Sequence, residues 1–209
     1  MSSDKGQLIV ISAPSGAGKT SIIKSVIKKL NDENRKSKFS VSHTTRLPRE
    51  GDIDGSDYFF VSNEIFDGLY EAGNFIETAE VHDYKYGTSK DFIDENINQG
   101  INVFLEIDVQ GFQKLRNRNI EFRSMFILPP SIEELRKRIQ KRGLDSEDVI
   151  EKRMKNALKE LGEAEEYDYL VINDVFENAI EELLEMVINK GFKDHTHDKK
   201  LKILQDLLS

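Results

Sequence analysis

The chain has 209 residues, with 38 acidic against 30 basic side chains, a formal net charge of −8 and no cysteine. This length suffices for one large domain or for a core that carries small insertions. The acidic balance argues against a protein that coats nucleic acid, and the lack of cysteine excludes disulfides, thiolate metal sites and cysteine nucleophiles. Since the first residues are polar and no segment approaches the roughly 20 apolar residues of a membrane span, we expect a cytoplasmic protein without a membrane partner.

The first predicted elements are a buried strand over 7–12 and a helix over 19–31, with a glycine-containing loop between them. The loop matches the phosphate-binding pattern G-x-x-x-x-G-K-[ST], except that Ala13 stands in place of the first glycine. In that pattern, backbone N–H groups face a polyphosphate, the lysine reaches the β and γ phosphates, and the last hydroxyl binds Mg²⁺. The alternative is an ordinary glycine turn that caps a helix. The flanking strand and helix favour nucleotide binding. We therefore predict that the loop binds ATP through Ala13, Pro14, Ser15, Gly16, Ala17, Gly18, Lys19 and Thr20.

A different style of sequence follows the polar linker 31–38. Short, aromatic and turn-rich segments over 39–86 predict a small, mostly β insertion, with a helix near 63–72 and strands at 39–42, 58–61 and 75–77. Alternating strands and helices then return, with strands predicted over 101–107, 122–128 and 169–172. We therefore predict an α/β fold of the P-loop NTPase type, in which a parallel sheet is flanked by helices and a β-rich insertion lies at the ends of its strands.

Two carboxylates, Glu106 and Asp108, lie at the end of the second predicted strand of the chain's α/β part. In phosphate-loop enzymes, a carboxylate beside the loop orients the water shell of Mg²⁺. Acidic residues at strand ends also commonly accept backbone N–H bonds. The sequence leaves both interpretations open.

Two groups of basic residues could bind phosphate. Arg46 and Arg49 lie three apart in a proline-stiffened loop that is flanked by hydroxyl side chains. A second group surrounds the segment 143–147 and comprises Arg136, Arg138, Lys141, Arg142 and Arg153. This second group is either a solvated helix face with an ion pair between Glu134 and Arg138, or a lid whose arginines neutralise a transferring phosphoryl group.

Taken together, these residues show that the chain resembles bacterial guanylate kinases over nearly its whole length. The resemblance rests on the order and spacing of the segments 12–20, 41–51, 57–61, 86–89, 104–111, 126–131, 138–143 and 171–174. It implies Mg²⁺-dependent transfer of the γ-phosphoryl group of ATP to GMP, and to dGMP. It also implies a core domain of residues 1–38, 89–130 and 148–209, a GMP-binding insertion of residues 39–88 and a helical lid of residues 131–147.

The resemblance further implies roles for individual residues. The GMP phosphate would be held by Ser42, Arg46, Arg49, Tyr58 and Tyr86, and the guanine side would be faced by Glu77, Thr88 and Asp108. The transferring group would be surrounded by the catalytic residues Lys19, Arg46, Arg138, Arg142 and Arg153. Asn173 would lie near the adenine of ATP, and Thr20 would bind Mg²⁺. Glu106 stands where many relatives carry aspartate, so the choice between Glu106 and Asp108 as the residue that orders the Mg²⁺ waters stays open.

Other functions are compatible with parts of this pattern. A guanylate-kinase-like module that has lost catalysis could bind a peptide through the former GMP site, but it would not need Lys19 or Thr20. A kinase of the same architecture could phosphorylate a sugar phosphate, but the pair Glu77 and Thr88 suits a guanine edge. His195 and His197 are interpreted as part of a solvated tail. The amphipathic stretch 201–208 could dock on the core or on a second subunit, and a homo-oligomer is possible.

Overall fold

The computed structural model describes residues 5–81, 83–118, 120–141, 146–189 and 192–209. Its strands are β1 (Leu8–Ser12), β2 (Ser37–Phe39), β3 (His43–Thr44), β4 (Phe59–Phe60), β5 (Phe75–Val81), β6 (Tyr84–Ser89), β7 (Asn102–Glu106), β8 (Arg123–Leu128) and β9 (Tyr169–Ile172). Its α-helices are α1 (Lys19–Asp32), α2 (Asn63–Glu71), α3 (Lys90–Asn98), α4 (Val109–Arg116), α5 (Ile132–Lys141), α6 (Glu147–Leu161), α7 (Phe176–Ile188) and α8 (His197–Leu208). No helix within these ranges is both long and apolar enough to cross a membrane.

The main sheet is parallel, with strand order β2-β7-β1-β8-β9. Alternate side chains of β1 point to opposite faces, so that Ile9 and Ile11 pack with α1 and α7, whereas Leu8 and Val10 pack with α4 and α8. Because helices cover both faces, β1 is buried along its whole length. The predicted α/β fold, with a parallel sheet flanked by helices, is confirmed.

A second sheet, with strand order β4-β3-β6-β5, forms the β-rich insertion. Strands β5 and β6 form an antiparallel hairpin, and the short strands β3 and β4 pair in parallel. The prediction of a strand over 39–42 within the insertion is wrong. Ser37–Phe39 instead pair with β7 at the edge of the main sheet, because the Phe39 side chain packs against the core of that sheet.

The C-terminal helix docks on the core of its own chain. Leu204 and Leu207 of α8 are buried in the same apolar cluster as Leu170 of β9. The helix also carries Lys200, a lysine that is only 3% exposed and that binds the carboxylates of Glu182 and Asp194. His195 and His197 belong to no group of metal-ligating side chains among the described residues.

Replacing Lys200 by alanine is expected to lower the free energy of unfolding by about 3 kcal/mol, because it leaves the carboxylates of Glu182 and Asp194 partly buried without their cation. Urea denaturation measures the change. Lys199→Ala is the matched control, since Lys199 is the exposed neighbour on the same helix. Equal stabilities for the two variants would show that the buried ion pairs do not hold α8 in place.

Candidate active site

The phosphate loop connects the central strand β1 to helix α1. Gly16 and Gly18 have φ angles of 95° and 86°, which favour glycine, and Gly18 precedes the first residue of α1. Ala13 has no such backbone requirement, since its φ is not positive, and its side chain is buried in the core. The missing first glycine of the motif therefore leaves the geometry of the loop intact.

The two strand-end carboxylates have different partners. Glu106 accepts a hydrogen bond of 3.0 Å from the Thr20 hydroxyl and lies 3.7 Å from the Lys19 ammonium, which also donates to the carbonyl of Ile107 at 3.3 Å. Asp108 caps helix α4 by accepting a hydrogen bond of 2.8 Å from the backbone N–H of Gly111. Asp108 therefore matches the interpretation of a strand-end acid that accepts a backbone N–H bond, whereas Glu106 lies beside the phosphate loop.

A cleft of about 420 Å³ separates the phosphate loop from the second sheet. It brings together many of the residues that the sequence assigned to the site, since its lining includes Lys19, Thr20, Ser42, Tyr58, Glu77, Tyr86, Glu106 and Asp108. Tyr58 and Tyr86 form an edge-to-face pair with ring centroids 5.8 Å apart. The cleft thus combines cations, hydroxyl groups and carboxylates on its two walls.

Arg46 lies behind Tyr58 and is held by an acidic residue that the sequence analysis missed. Its guanidinium donates a hydrogen bond of 2.8 Å to Asp52 and lies 5.3 Å from the centroid of the Tyr58 ring. Asp52 also accepts a hydrogen bond of 2.7 Å from the backbone N–H of Arg49, whose side chain is exposed. These bonds, from Arg49 and then from Arg46, hold the pKa of Asp52 below its usual value. Asp52 therefore fixes the arginine loop.

Glu77 lines the cleft but is largely buried, with only 4% of its surface exposed. It pairs with Thr88 across the β5–β6 hairpin, and the Thr88 hydroxyl donates a hydrogen bond of 2.5 Å to its carboxylate. The hydroxyl of Ser42 lies 3.4 Å from that of Thr88. Burial raises the pKa of Glu77 to about 7, although the hydrogen bond from Thr88 acts in the opposite direction. The structure thus places a carboxylate that titrates near neutrality in a position to accept hydrogen bonds from a ligand.

The predicted catalytic arginines Arg138 and Arg153 lie beside the phosphate loop. Arg138 binds Glu134 at 2.8 Å, as one interpretation of this helix predicted, and also donates to the carbonyl of Asn173 at 3.1 Å. Arg153 donates a hydrogen bond of 2.9 Å to the hydroxyl of Ser15. Arg142 lies outside the described residues. The Asn173 side chain bonds the carbonyl of Ala17 at 2.6 Å, which links the predicted adenine-side residue directly to the loop.

A second acid that the sequence analysis missed lies under the phosphate loop. Glu160 is on α6, and one of its carboxylate oxygens is buried without a hydrogen-bond partner in the described part of the chain. Burial raises the pKa of this group, and the nearby Lys19 and a hydrogen bond from the Ser15 backbone oppose that shift. In the sequence, Glu160 is one of many charged residues of an amphipathic helix and gives no signal of its own.

Comparison with known proteins places these features in a family. A family model described as guanylate kinase matches residues 5–190. A guanylate kinase from Caldanaerobacter subterraneus subsp. tengcongensis is 46% identical over 203 residues, which is 97% of each chain. A guanylate kinase from Haemophilus influenzae is 43% identical over 207 residues, covering 98% of this chain and 99% of the relative. The crystal structure of guanylate kinase from Anaplasma phagocytophilum is similar with a TM-score of 0.72 at 30% identity, covering 97% of this chain and 95% of the other.

Proposed function

Since the chain belongs to the guanylate kinase family and is an ATP-dependent GMP phosphotransferase, we propose that GMP binds in the 420 Å³ cleft with its base against Glu77 and Thr88. The observation that carries this proposal is the buried carboxylate of Glu77, which lines the cleft and is held by a hydrogen bond from Thr88. A carboxylate can accept two parallel hydrogen bonds, from N1–H and from the exocyclic N2 amine of guanine. The Thr88 hydroxyl donates to the Glu77 carboxylate at 2.5 Å and would orient it toward the base.

The GMP phosphate would bind to the hydroxyl and guanidinium groups of the insertion. Arginine forks and phenol hydroxyls suit a dianionic phosphate. Burial raises the pKa of Tyr58, so its hydroxyl stays protonated and can donate. The proposed phosphate ligands are Ser42, Arg46, Arg49, Tyr58 and Tyr86.

Phosphoryl transfer in this site would depend on positioning and charge neutralisation. The attacking phosphate of GMP is already an anion, so no strong base is needed. Lys19 begins α1 beside the phosphate loop, where its ammonium would contact the β and γ phosphates of ATP. Arg138, Arg142 and Arg153 would neutralise the transferring group.

The residues beside the phosphate loop also fit a magnesium ion. The Thr20 hydroxyl oxygen and a carboxylate oxygen of Glu106 lie 3.0 Å apart. Mg²⁺ prefers oxygen ligands of this kind and usually keeps several of its waters. Asp108 is instead used to cap α4, which supports Glu106 as the residue that orders the waters. Mg²⁺, when bound, would neutralise charge on the β and γ phosphates.

Several wider properties are proposed with the function. We propose that dGMP is accepted, because it carries the same base and phosphate as GMP. Residues 39–88 would act as the GMP-binding unit and 131–147 as a lid. The net charge of −8 argues against nucleic-acid partners, and a cytoplasmic location is proposed as well. Association into a homo-oligomer stays a prediction that size-exclusion chromatography with light scattering can test.

The acceptor assay tests the proposal directly. We expect efficient turnover with ATP, Mg²⁺ and GMP or dGMP, and poor turnover with AMP, UMP or a ribose phosphate as the acceptor. Omission of Mg²⁺ should remove the activity. An enzyme that used AMP as well as it uses GMP would refute the assignment of the base site.

The KM for GMP is expected to rise as the pH falls below 7. The pKa of Glu77 is about 7 against an ordinary value of 4.5, and guanine requires the ionised carboxylate as its acceptor. Between these two values the folded protein holds a proton that the unfolded chain lacks, so this group contributes stability at low pH that is lost as the pH rises through 7. Bound GMP should displace this proton from Glu77, so in its presence the contribution of Glu77 to stability should no longer be lost as the pH rises. The control is Glu77→Gln, which should keep only the pH dependence due to the GMP phosphate, so identical pH profiles would contradict the prediction.

A further inference from the structure

Helix α4 contacts the strand that carries Glu77 through backbone carbonyls on both sides of that residue. The Lys114 ammonium donates a hydrogen bond of 2.7 Å to the carbonyl of Thr78. Arg118, in the turn after the helix, donates at 3.5 Å to the carbonyl of Phe75. The two cations thus hold the short segment Phe75–Thr78 from the side of α4.

This segment contains an irregularity of the sheet. The register of β5 against β6 shifts between Phe75 and Glu77, so that Phe75 pairs with Ser89 while Glu77 pairs with Thr88. An inserted residue of this kind bends the strand and redirects a side chain, and such bulges are frequent beside active sites. Ile76, the residue at the shift, is buried in the core cluster that includes Phe112 of α4. The direction of the Glu77 carboxylate therefore depends on how α4 packs against the bulge.

Gly111 of α4 lies directly beside the Glu77 carboxylate. A Cβ atom at this position would lie 3.0 Å from one carboxylate oxygen of Glu77 and 3.3 Å from a carboxylate oxygen of Asp108. Gly111 lies inside α4 and its φ is not positive, so the backbone does not require glycine. Glycine is among the poorest helix-forming residues, so its presence here needs another reason. The space that the Glu77 carboxylate occupies supplies that reason.

We propose that Gly111 and Lys114 are positioning residues for guanine recognition: Gly111 leaves room for the Glu77 carboxylate, and Lys114 holds the bulged strand that directs it into the cleft. This inference rests on the proposed contact between Glu77 and guanine. Neither residue touches the substrate. Both act through Glu77, so their loss should weaken discrimination between bases more than it slows phosphoryl transfer.

The first test is Gly111→Ala. The added methyl group should displace the carboxylate by a few tenths of an ångström, and we expect the KM for GMP to rise about tenfold, with smaller changes in kcat and in the KM for ATP. Inosine monophosphate lacks the exocyclic N2 amine, so the preference for GMP over this analogue reports the second hydrogen bond of Glu77 and should fall. Gly68→Ala is the matched control, because Gly68 lies inside helix α2 and a Cβ there meets nothing within 4 Å.

The second test avoids added volume and remains decisive if Gly111→Ala does not fold. Lys114→Met keeps the aliphatic stem but removes the hydrogen bond to Thr78, and should lower the same base preference by about threefold. Lys114→Arg should restore it, because the cation is retained. Wild-type base preference in Lys114→Met, or in a folded Gly111→Ala, would overturn the inference. If Glu77→Gln also kept the wild-type preference, the proposed guanine contact itself would fail, so the two failures are distinguishable.

Discussion

Replacement of Lys19 by alanine is expected to reduce kcat by about a hundredfold or more, because a preorganised cation at the transferring phosphoryl group contributes mainly to transition-state stabilisation. The ammonium of Lys19 lies at the start of α1, between the carbonyl of Ile107 and the carboxylate of Glu106. Among the residues that line the cleft, Lys24 is the other lysine, and it is paired with Asp57 at 3.8 Å. It is therefore not placed to substitute for Lys19.

The measurement is steady-state turnover of GMP at saturating ATP, with the fold of each variant checked by circular dichroism. Lys28→Ala is the control, since Lys28 lies on the same helix, is exposed and pairs with Asp32. It should turn over like the wild type. A folded Lys19→Ala enzyme with near wild-type kcat would show that the phosphate-loop assignment is wrong.

Replacement of Glu77 by glutamine is expected to lower kcat/KM for GMP by about a hundredfold or more, while kcat/KM for AMP stays low or rises slightly. The amide keeps one acceptor but presents a donor where guanine also presents a donor, and a buried polar group left unpaired is costly. The wild type should already reject AMP, because adenine N1 is an acceptor and would face the carboxylate. Sites built to hydrogen-bond one substrate edge can reject an analogue by roughly 10⁴-fold.

Glu80→Gln is the matched control for this substitution, since Glu80 lies on the same strand but is exposed. Both variants are compared with the wild type in kcat/KM for GMP and for AMP. If Glu77→Gln and Glu80→Gln discriminated equally well between the two acceptors, guanine recognition would have to be assigned to other residues.

Local signals in the sequence predicted the strand and the helix on either side of the phosphate loop. A short β-branched run, two glycines in fixed positions and an apolar helix are all encoded within about two dozen residues. The structure accordingly has β1 over Leu8–Ser12 and α1 over Lys19–Asp32, close to the predicted 7–12 and 19–31. The strand at Tyr169–Ile172 also agrees with its prediction. A strand of a parallel sheet can be recognised from its run of apolar residues alone, without knowing which strands it pairs with.

Features that depend on long-range contacts could not be predicted in the same way. Phe39 joins the main sheet because β7, more than sixty residues later, offers it a partner. The different partners of Glu106 and Asp108 follow from the positions of Thr20 and Gly111, which the spacing of the two acids does not reveal. The role of Asp52 in holding Arg46 depends on the path of the loop between them. Each of these features depends on contacts between distant residues, which composition and periodicity do not predict.

The unequal construction of the two sheets has a consequence for how the enzyme opens. Strand β1 is paired on both sides and fully buried. We therefore expect the backbone hydrogen bonds of this strand, which precedes the phosphate loop, to break only when the whole domain unfolds. Strands β3 and β4 have two residues each, and β4 has a neighbour on one side only. Sub-global opening of the second sheet therefore requires less free energy than opening of the first. We therefore expect the proposed GMP site to open transiently while the phosphate loop stays folded.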